Sequence, residues 1–469
     1  MDRNSITVRI PGPIGWRTSI GIGLSVAVTL TLAAKALPRD VAFAILSAAT
    51  ATAAGIAIVV TYKHLFDLRR LALPAVGLMS YLVLIAIPAI FMFLDEAGSS
   101  RFTYLLAVHS ALLTIPLGVI VTEFALSTSL GINPKAVVPN WVRLSRIWDL
   151  LFLFAVAIVA LHVHQVGFLP ITEALSIKGD WLGMAMLREE SGNLLPGALN
   201  QYLYYWNRIL MLPGLTVLAL GACILGQKAR WRLRAVIAFC VAVFYGTFTL
   251  EKSFSMIPFI TVGALLYLTK RWRVKLRHVL SLGILAFSFP LLVFRWLVPE
   301  SGLWNDVVFA FARRIFAVPA LVTYSYFELV PGQMDFLYGK TSKVIAYLTG
   351  SSFFDSANYI YRQEFPTSIE SGTSNACFVG TAWANFGWCG VILEGLLAGM
   401  LLQLLWSLIR GRRDLFSTTL HVLLMIPFTI GFISLPMESL FLTYGVAPAV
   451  IGWALCTRFC LRPAAVPLD

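Results

Sequence analysis

Residues 228–277 read KARWRLRAVIAFCVAVFYGTFTLEKSFSMIPFITVGALLYLTKRWRVKLR. Two apolar runs, 234–250 and 254–270, are flanked by basic segments and joined by the short turn Glu251–Ser253. An α-helix needs about 20 apolar residues to cross the hydrocarbon core of a bilayer. Lys and Arg concentrate in the cytoplasmic loops of membrane proteins. This stretch therefore predicts a helical hairpin with cytoplasmic ends and an outward-facing turn.

The same alternation of apolar runs and basic segments extends over the whole chain. Further basic segments lie at 63–70, 135–146 and 410–413, and the loops between them are neutral or acidic. The pattern predicts an all-α fold, a polytopic membrane helix bundle of about twelve transmembrane helices with both termini cytoplasmic. The predicted spans are 18–37, 41–62, 73–94, 102–126, 148–168, 208–226, 234–250, 254–270, 278–298, 376–408, 416–434 and 440–458. We interpret the first as an uncleaved helix, because its apolar run is longer than that of a signal peptide.

The composition agrees with a membrane protein. Hydrophobic residues make up 58% of the chain, against about 45–50% in soluble domains. The net charge of +13 could suggest nucleic acid as a partner. The basic residues lie in short turns beside apolar runs, however, so the charge indicates topology and contact with anionic membrane lipids, and no nucleic acid.

Three parts follow from this topology: helices in 1–298 with an outer loop at 169–207, a large late outer loop at 299–375, and the last helices and tail in 376–469. The apolar stretch 303–330 carries Arg313 and Arg314 at its centre, and if it crossed the membrane the basic segment 410–413 would face outward. We therefore expect an interfacial or re-entrant helix there, followed by a cap.

The motifs of soluble enzymes are missing from the sequence. There is no GxxxxGK[ST], HExxH or CxxC motif, and no paired acids suited to hold a metal at a diphosphate. The six cysteines form no metal or disulfide pattern. We expect no cofactor and no metal site.

Cations on the predicted outer side need an explanation, because topology should deplete that face of Lys and Arg. They are either ion-paired with nearby acids or bind a lipid-linked phosphate, for which Arg offers two parallel hydrogen bonds. Lys252 lies between two short apolar runs, so its turn should be recessed, although a neutral pair with Glu251 is an equal alternative. The outer cations are Arg208, Lys252, Arg295, Arg313, Arg314, Lys340, Lys343 and Arg362.

Glu394, His162 and His164 are polar residues inside predicted spans. Glu394 is either functional or a buried hydrogen-bonding group, and we favour the second interpretation. His162 and His164 are two residues apart, which places them on different faces of a helix and argues against a shared metal.

Residues 380–391, running into Gly399, contain the pattern G-x-x-x-x-N-F-G-x-x-G in a late predicted helix. Residues 312–319, 324–327 and 336–340 form an outer-loop segment around an Arg with a later L-Y-G. Together these segments resemble the Wzy-type repeat-unit polymerases, which make O-antigen and related bacterial polysaccharides. Lys252 occupies a place where many members of that family carry Arg or Lys.

The resemblance implies a metal-independent lipid-linked glycosyltransferase of the GT-C class, acting at the periplasmic face of the bacterial inner membrane. The growing glycan on one undecaprenyl pyrophosphate would move to the terminal sugar of another lipid-linked repeat unit, with a chain-length regulator and a flippase as candidate partners. The implied catalytic residues are Arg313, Arg314, Lys252, Glu251 and Glu328. The implied pyrophosphate- or glycan-binding residues are Arg208, Arg295, Lys340, Arg362, Tyr324 and Tyr338.

Two alternatives stay open at this stage. An O-antigen ligase, which transfers a finished glycan to lipid A-core, would use the same chemistry. A lipid-linked oligosaccharide flippase is favoured less, because flippases have two similar halves and this chain does not. Asp335 and Asp355 also stay open as candidate bases.

Overall fold

The computed structural model describes residues 39–95, 99–127, 137–176, 183, 186–187, 191, 198–248, 252–269, 304–366, 372–412 and 414–463. These residues are almost entirely helical. The helices of the first half are α1 (Arg39–Thr61), α2 (Leu73–Tyr81), α3 (Ile87–Asp95), α4 (Ser99–Ser127), α5 (Trp141–Val166), α6 (Pro170–Ser176), α7 (Ala198–Trp206), α8 (Leu212–Ile224), α9 (Lys228–Phe248) and α10 (Lys252–Leu268).

The second half contains α11 (Trp304–Phe316), α12 (Val318–Leu329), α13 (Lys343–Thr349), α14 (Ser356–Glu364), α15 (Phe378–Ile409), α16 (Leu415–Thr429), α17 (Met437–Phe441) and α18 (Val446–Cys460). Short 3-10 helices lie at Leu68–Arg70 and Gly431–Ile433, and π-helical turns at Leu82–Ala86 and Asn207–Met211. Two three-residue strands, Val137–Pro139 and Leu461–Pro463, pair antiparallel.

The chain is a multi-pass membrane protein. Within the described residues nine helical segments are long and apolar enough to cross a bilayer: Val41–Thr61, Leu73–Phe93, Ser100–Leu126, Trp141–Val166, Tyr202–Ile224, Arg230–Phe248, Phe378–Ile409, Leu415–Ile433 and Met437–Cys460. The predicted span 254–270 corresponds to a shorter apolar helix, Phe254–Leu268. The predicted spans 18–37 and 278–298 lie outside the described residues, so the count of about twelve stays a prediction.

Side-chain contacts bring the basic segments together at one end of the bundle. Arg410 forms an ion pair with Glu123, with 2.7 Å between Nη2 and Oε1. The Tyr267 hydroxyl donates to the backbone carbonyl of Arg69 over 3.1 Å. The strand pair joins residues 137–139 to the end of α18. The alternation of charge along the chain thus corresponds to one basic end in space.

Among the described helices, α4 and α15 share the most extensive contact, and glycines allow their close approach. A side chain at Gly118 would collide with the backbone carbonyl of Leu396, and one at Gly399 with that of Ile115. Small residues that let backbones touch are the usual basis of helix packing in membranes. This pair forms the frame on which the segments at the opposite end of the bundle are held.

Helix α12 enters the bundle at the end opposite the basic segments. Its 12 residues span only about 18 Å, too short to cross a bilayer. The Tyr104 hydroxyl donates to the carbonyl of Ala320 over 2.8 Å, and the hydroxyls of Ser100 and Tyr324 lie 3.0 Å apart. Both contacts involve the first turns of α4, so α12 packs inside the bundle next to the start of that helix.

Helix α15 bends sharply at Gly387, whose φ of 58° lies in the left-handed region. A glycine reaches this conformation without the steric cost that a side chain would add. The bend folds the first part of the helix back, so that Gly390 approaches the carbonyl of Ala382. The predicted span 376–408 is therefore two helical pieces, and Gly395 and Gly399 of the second pack against Thr114 and Ile115 of α4.

Candidate functional site

A cleft with an empty volume of about 850 Å³ opens at the end of the bundle opposite the basic segments. Its walls come from parts of the chain that are distant in sequence: α7, residues 341–357, residues 375–381 and the segment 436–443. Tyr326 of α12 also lines it, two residues from the Tyr324 contact with α4. The large late loop and the last short outer segment therefore build one concave surface.

The lining of the cleft combines apolar surface with polar groups and carries more negative than positive charge. Its described charged residues are Lys343, Asp355 and Glu438. The Lys343 ammonium lies 5.2 Å from the centre of the Phe353 ring. Burial raises the pKa of Tyr326 to about 12. Aromatic rings, hydroxyls and carboxylates together suit a polyhydroxylated ligand better than a pyrophosphate.

Asn385 joins the two segments that carry the family resemblance. Its side-chain oxygen accepts a hydrogen bond from the Gly339 backbone amide over 3.0 Å, and its side-chain nitrogen donates to the Thr341 hydroxyl over 2.6 Å. The backbone amides of Leu337 and Tyr338 donate to the carbonyls of Ala384 and Asn385. We call this set of hydrogen bonds the Asn385 clamp. Because Thr341 lines the cleft, the clamp fixes part of the cleft wall.

Trp383 fixes the same region from the other side. Its indole nitrogen donates to the Val330 carbonyl over 2.7 Å, and its ring stacks on Phe327 with 4.8 Å between ring centres. Helix α12 is thereby tied to the first part of α15. A buried indole needs such a hydrogen-bond acceptor, so the contact orients both elements.

Arg208 lies in an aromatic enclosure beside the cleft. Only 8% of the residue is exposed, and its guanidinium lies 4.4 Å from the ring centre of Phe254, 5.8 Å from that of Tyr245 and 6.0 Å from that of Tyr205. It belongs to the π-helical turn Asn207–Met211, a feature that is frequent at functional sites. Phe254 lies two residues after Lys252. Because Arg208 contacts Phe254, the backbone of Lys252 lies in the same region as Arg208, and both residues are predicted outer cations.

The Arg208 enclosure and the cleft share a wall. The ring of Tyr205 packs on Phe254 and on Tyr444, with ring centres 5.1 and 5.5 Å apart. One residue on, the Trp206 indole donates to the Leu442 carbonyl over 2.7 Å. Leu442 itself lines the cleft. A ligand that carries both a sugar and a phosphate could therefore reach both sites.

The other predicted site residues are scattered. Arg313 and Arg314 are exposed in the last turn of α11. Tyr324 is buried, with the Arg101 guanidinium 5.4 Å from its ring centre. Glu328, Asp335, Tyr338, Lys340 and Arg362 are exposed. In the part of the chain that the structure describes, none of these residues lines the cleft.

Two predicted residues, Glu251 and Arg295, lie outside the described residues, and the side chain of Lys252 is not described. Among the described residues no group of three or more His, Cys, Asp or Glu is placed to bind a metal ion.

The polar residues inside the spans have different environments. His162 is buried, with Nδ1 2.8 Å from the Tyr245 hydroxyl and Nε2 3.1 Å from the Ser191 carbonyl, whereas His164 is exposed. The two histidines therefore face different ways, as predicted. Glu394 Oε2 is buried without a hydrogen-bond partner among the described residues, and the expected hydrogen bond of this side chain stays a prediction.

Sequence reasoning missed Glu438 and the role of Asn385. Glu438 is an acid in a short, otherwise apolar outer segment. An isolated acid in such a segment could have marked it as a candidate site residue. Asn385 belongs to the N-F-G triplet that carries the resemblance, but a motif alone does not show which backbone its side chain binds.

The chain matches no protein-family model, no curated protein sequence and no solved structure.

Proposed function

We propose that this protein polymerises undecaprenyl-pyrophosphate-linked oligosaccharide repeat units at the periplasmic face of the bacterial inner membrane. The growing glycan is transferred to the next lipid-linked repeat, and undecaprenyl pyrophosphate is released. The observation that carries the proposal is the Asn385 clamp, since it joins the L-Y-G and N-F-G segments of the resemblance at the wall of the cleft.

The arrangement of charge supports a division of labour between two sites. Arg208, enclosed beside the start of α10, suits the lipid pyrophosphate, because a guanidinium with little water around it interacts strongly with phosphate oxygens. The cleft suits the sugars. The contacts of Tyr205 with Tyr444 and of Trp206 with Leu442 link the two sites, so that these two parts of one substrate would bind next to each other.

Preorganised cations supply the catalytic assistance in this proposal. When the anomeric carbon–oxygen bond breaks, negative charge grows on the departing pyrophosphate, and fixed positive groups stabilise it without reorganisation. Arg313, Arg314 and Lys252 stay candidates for the same role in the lipid-bound state.

The test uses purified protein and lipid-linked repeat units extracted from a strain that lacks this chain. The wild type should convert single units into a ladder of longer glycans. Asn385→Ala removes both side-chain hydrogen bonds to the loop and should shorten the ladder strongly. Asn140→Ala is the matched control, because Asn140 caps α5 at the basic end, and its loss should cost about 1 kcal/mol of stability but no activity.

Two outcomes would contradict the proposal. No ladder from the wild type with intact units would remove the polymerase function. Transfer of a finished glycan to lipid A-core, without elongation, would indicate the ligase instead.

Labelling in intact cells tests the topology on which the proposal depends. Ser352 is exposed in the large loop, so Ser352→Cys should react with a membrane-impermeant maleimide before lysis. The parent chain with its native cysteines gives the background. Reaction only after lysis would place the cleft on the cytoplasmic side and overturn the proposal.

A further inference from the structure

Glu438 projects into the cleft from the short helix α17 and is half-buried there. The Ser342 hydroxyl, at the start of α13, lies close enough to interact with its carboxyl group. Lys343, the next residue, lines the same cleft. The carboxyl group therefore stands between the last outer segment and the large late loop, where a ligand in the cleft would touch it.

A second carboxyl group, that of Glu394 in the second part of α15, lies near Glu438. Its Oε2 atom is buried and has no hydrogen-bond partner among the described residues.

The other acids near the cleft already have structural tasks. Asp355 caps α14, since its Oδ1 accepts a hydrogen bond from the Asn358 amide over 3.0 Å. Glu364 accepts hydrogen bonds from the hydroxyls of Ser325 and Ser374, over 2.7 and 2.9 Å. Of the two described acids that line the cleft, Asp355 caps a helix, whereas the Glu438 carboxyl group interacts with the Ser342 hydroxyl and with its own backbone amide.

We propose that the cleft binds the non-reducing terminal saccharide of the acceptor and that Glu438 takes the proton from its attacking hydroxyl. The inference rests on the proposed function and assigns a base that the sequence left open. The hydroxyl oxygen forms a bond to the anomeric carbon of the donor glycan. The bond from that carbon to the pyrophosphate oxygen breaks, and its electron pair leaves with the lipid pyrophosphate. The proton passes to the Glu438 carboxylate and then to water.

The first test compares Glu438→Gln with Glu173→Gln, using lipid-linked repeat units extracted from a strain lacking this chain. Loss of a general base typically lowers the rate by about 10²–10⁴-fold, and Gln keeps the size of the side chain. Glu173 is an exposed acid on α6, away from the cleft lining, so its variant should keep the wild-type rate. The same units should still raise the unfolding temperature of Glu438→Gln, because binding is retained.

A second variant tests the cleft without altering Glu438. Ala357 lines the cleft, and a cysteine there, modified with a bulky maleimide, should block polymerisation. The unmodified variant and maleimide-treated wild type are the controls. This measurement decides the acceptor site even if Glu438→Gln does not fold.

The outcomes separate the two proposals. A wild type that makes no polymer overturns the proposed function. A wild type that polymerises, with Glu438→Gln equally fast, overturns the assignment of Glu438 alone. Full activity after complete modification at position 357 overturns the cleft as the acceptor site.

Discussion

Arg208 and the pair Arg313–Arg314 are the same kind of residue in opposite surroundings. Arg208 is enclosed by three aromatic rings beside the cleft, whereas Arg313 and Arg314 are exposed on α11. Charge interactions are strong where water is excluded and weak where it is not. The comparison teaches that the local environment of a cation, more than its presence on the outer side, decides whether it can hold a pyrophosphate.

The largest effect is expected from Arg208→Gln. Losing one preorganised charge contact to the transition state typically lowers the rate by about 10²–10³-fold. Arg208→Lys should recover only part of this loss, because Lys lacks the planar fork that binds two phosphate oxygens. The measurement is the initial rate of ladder formation by purified protein, with unfolding temperature recorded in parallel. A fully active, folded Arg208→Gln variant would remove the pyrophosphate site from this enclosure.

A smaller effect is expected when the enclosure is altered and the charge is kept. Phe254→Leu removes the ring nearest the guanidinium, and a cation–π contact contributes about 0.5–2 kcal/mol. We therefore expect a loss of about tenfold in rate, since 1.4 kcal/mol corresponds to a factor of ten. Phe309→Leu is the control, because Phe309 is exposed on α11. Equal rates for both variants would show that the rings do not position Arg208.

Smaller still is the effect expected from the exposed pair. Arg313→Gln and Arg314→Gln should each cost about 0–1 kcal/mol of stability and change the rate less than Arg208→Gln does. The three variants should be measured side by side in the same assay. If substitution of Arg313 or Arg314 lowered the rate as much as substitution of Arg208, α11 would have to rearrange on lipid binding to bring that arginine to the substrate. Such a result would contradict the contrast between the buried and the exposed arginines.

Removal of divalent metal should have no effect. If fixed cations carry the charge of the leaving pyrophosphate, EDTA should leave the ladder unchanged. The check is the same assay with and without EDTA, and with Mg²⁺ or Mn²⁺ added back. Complete loss that is rescued by metal would contradict the assignment of this task to Arg208.

Apolar length and charge alternation predicted the helices well where the chain forms simple spans. The predicted span 102–126 corresponds to Ser99–Ser127, and 41–62 to Arg39–Thr61. Both follow from local physics, because each run is long enough to cross a bilayer and has no internal break in hydrophobicity. The basic end of the bundle is predictable for the same reason.

The bend in α15 could not be predicted from its own residues. Gly387 lies in an apolar stretch in which glycine also serves close helix packing, so the residue type does not reveal its φ. The bend is held by hydrogen bonds from Leu337 and Gly339, about fifty residues earlier in the chain. Hydrophobic periodicity reflects residues that are close in sequence, so it does not reveal a contact between segments about fifty residues apart.

The candidate site was only partly predictable, for a related reason. Outer cations can be counted from the sequence, but their burial cannot, and Arg208 was therefore not ranked above Arg313. Glu438 enters the cleft only because α17 packs beside the loop that contains Ser342. Residues that meet through tertiary packing leave no spacing pattern by which to find them.

The contact between the L-Y-G segment and α15 also constrains how this protein can vary over evolutionary time. Main-chain groups of Leu337 and Tyr338 make the contact, so the identity of the exposed Tyr338 side chain matters little. Its φ of 47° favours drift towards Gly or Asn. Gly339, with a φ of 88°, and Asn385 form one unit. Descendants of a common ancestor should inherit the two together or lose them together.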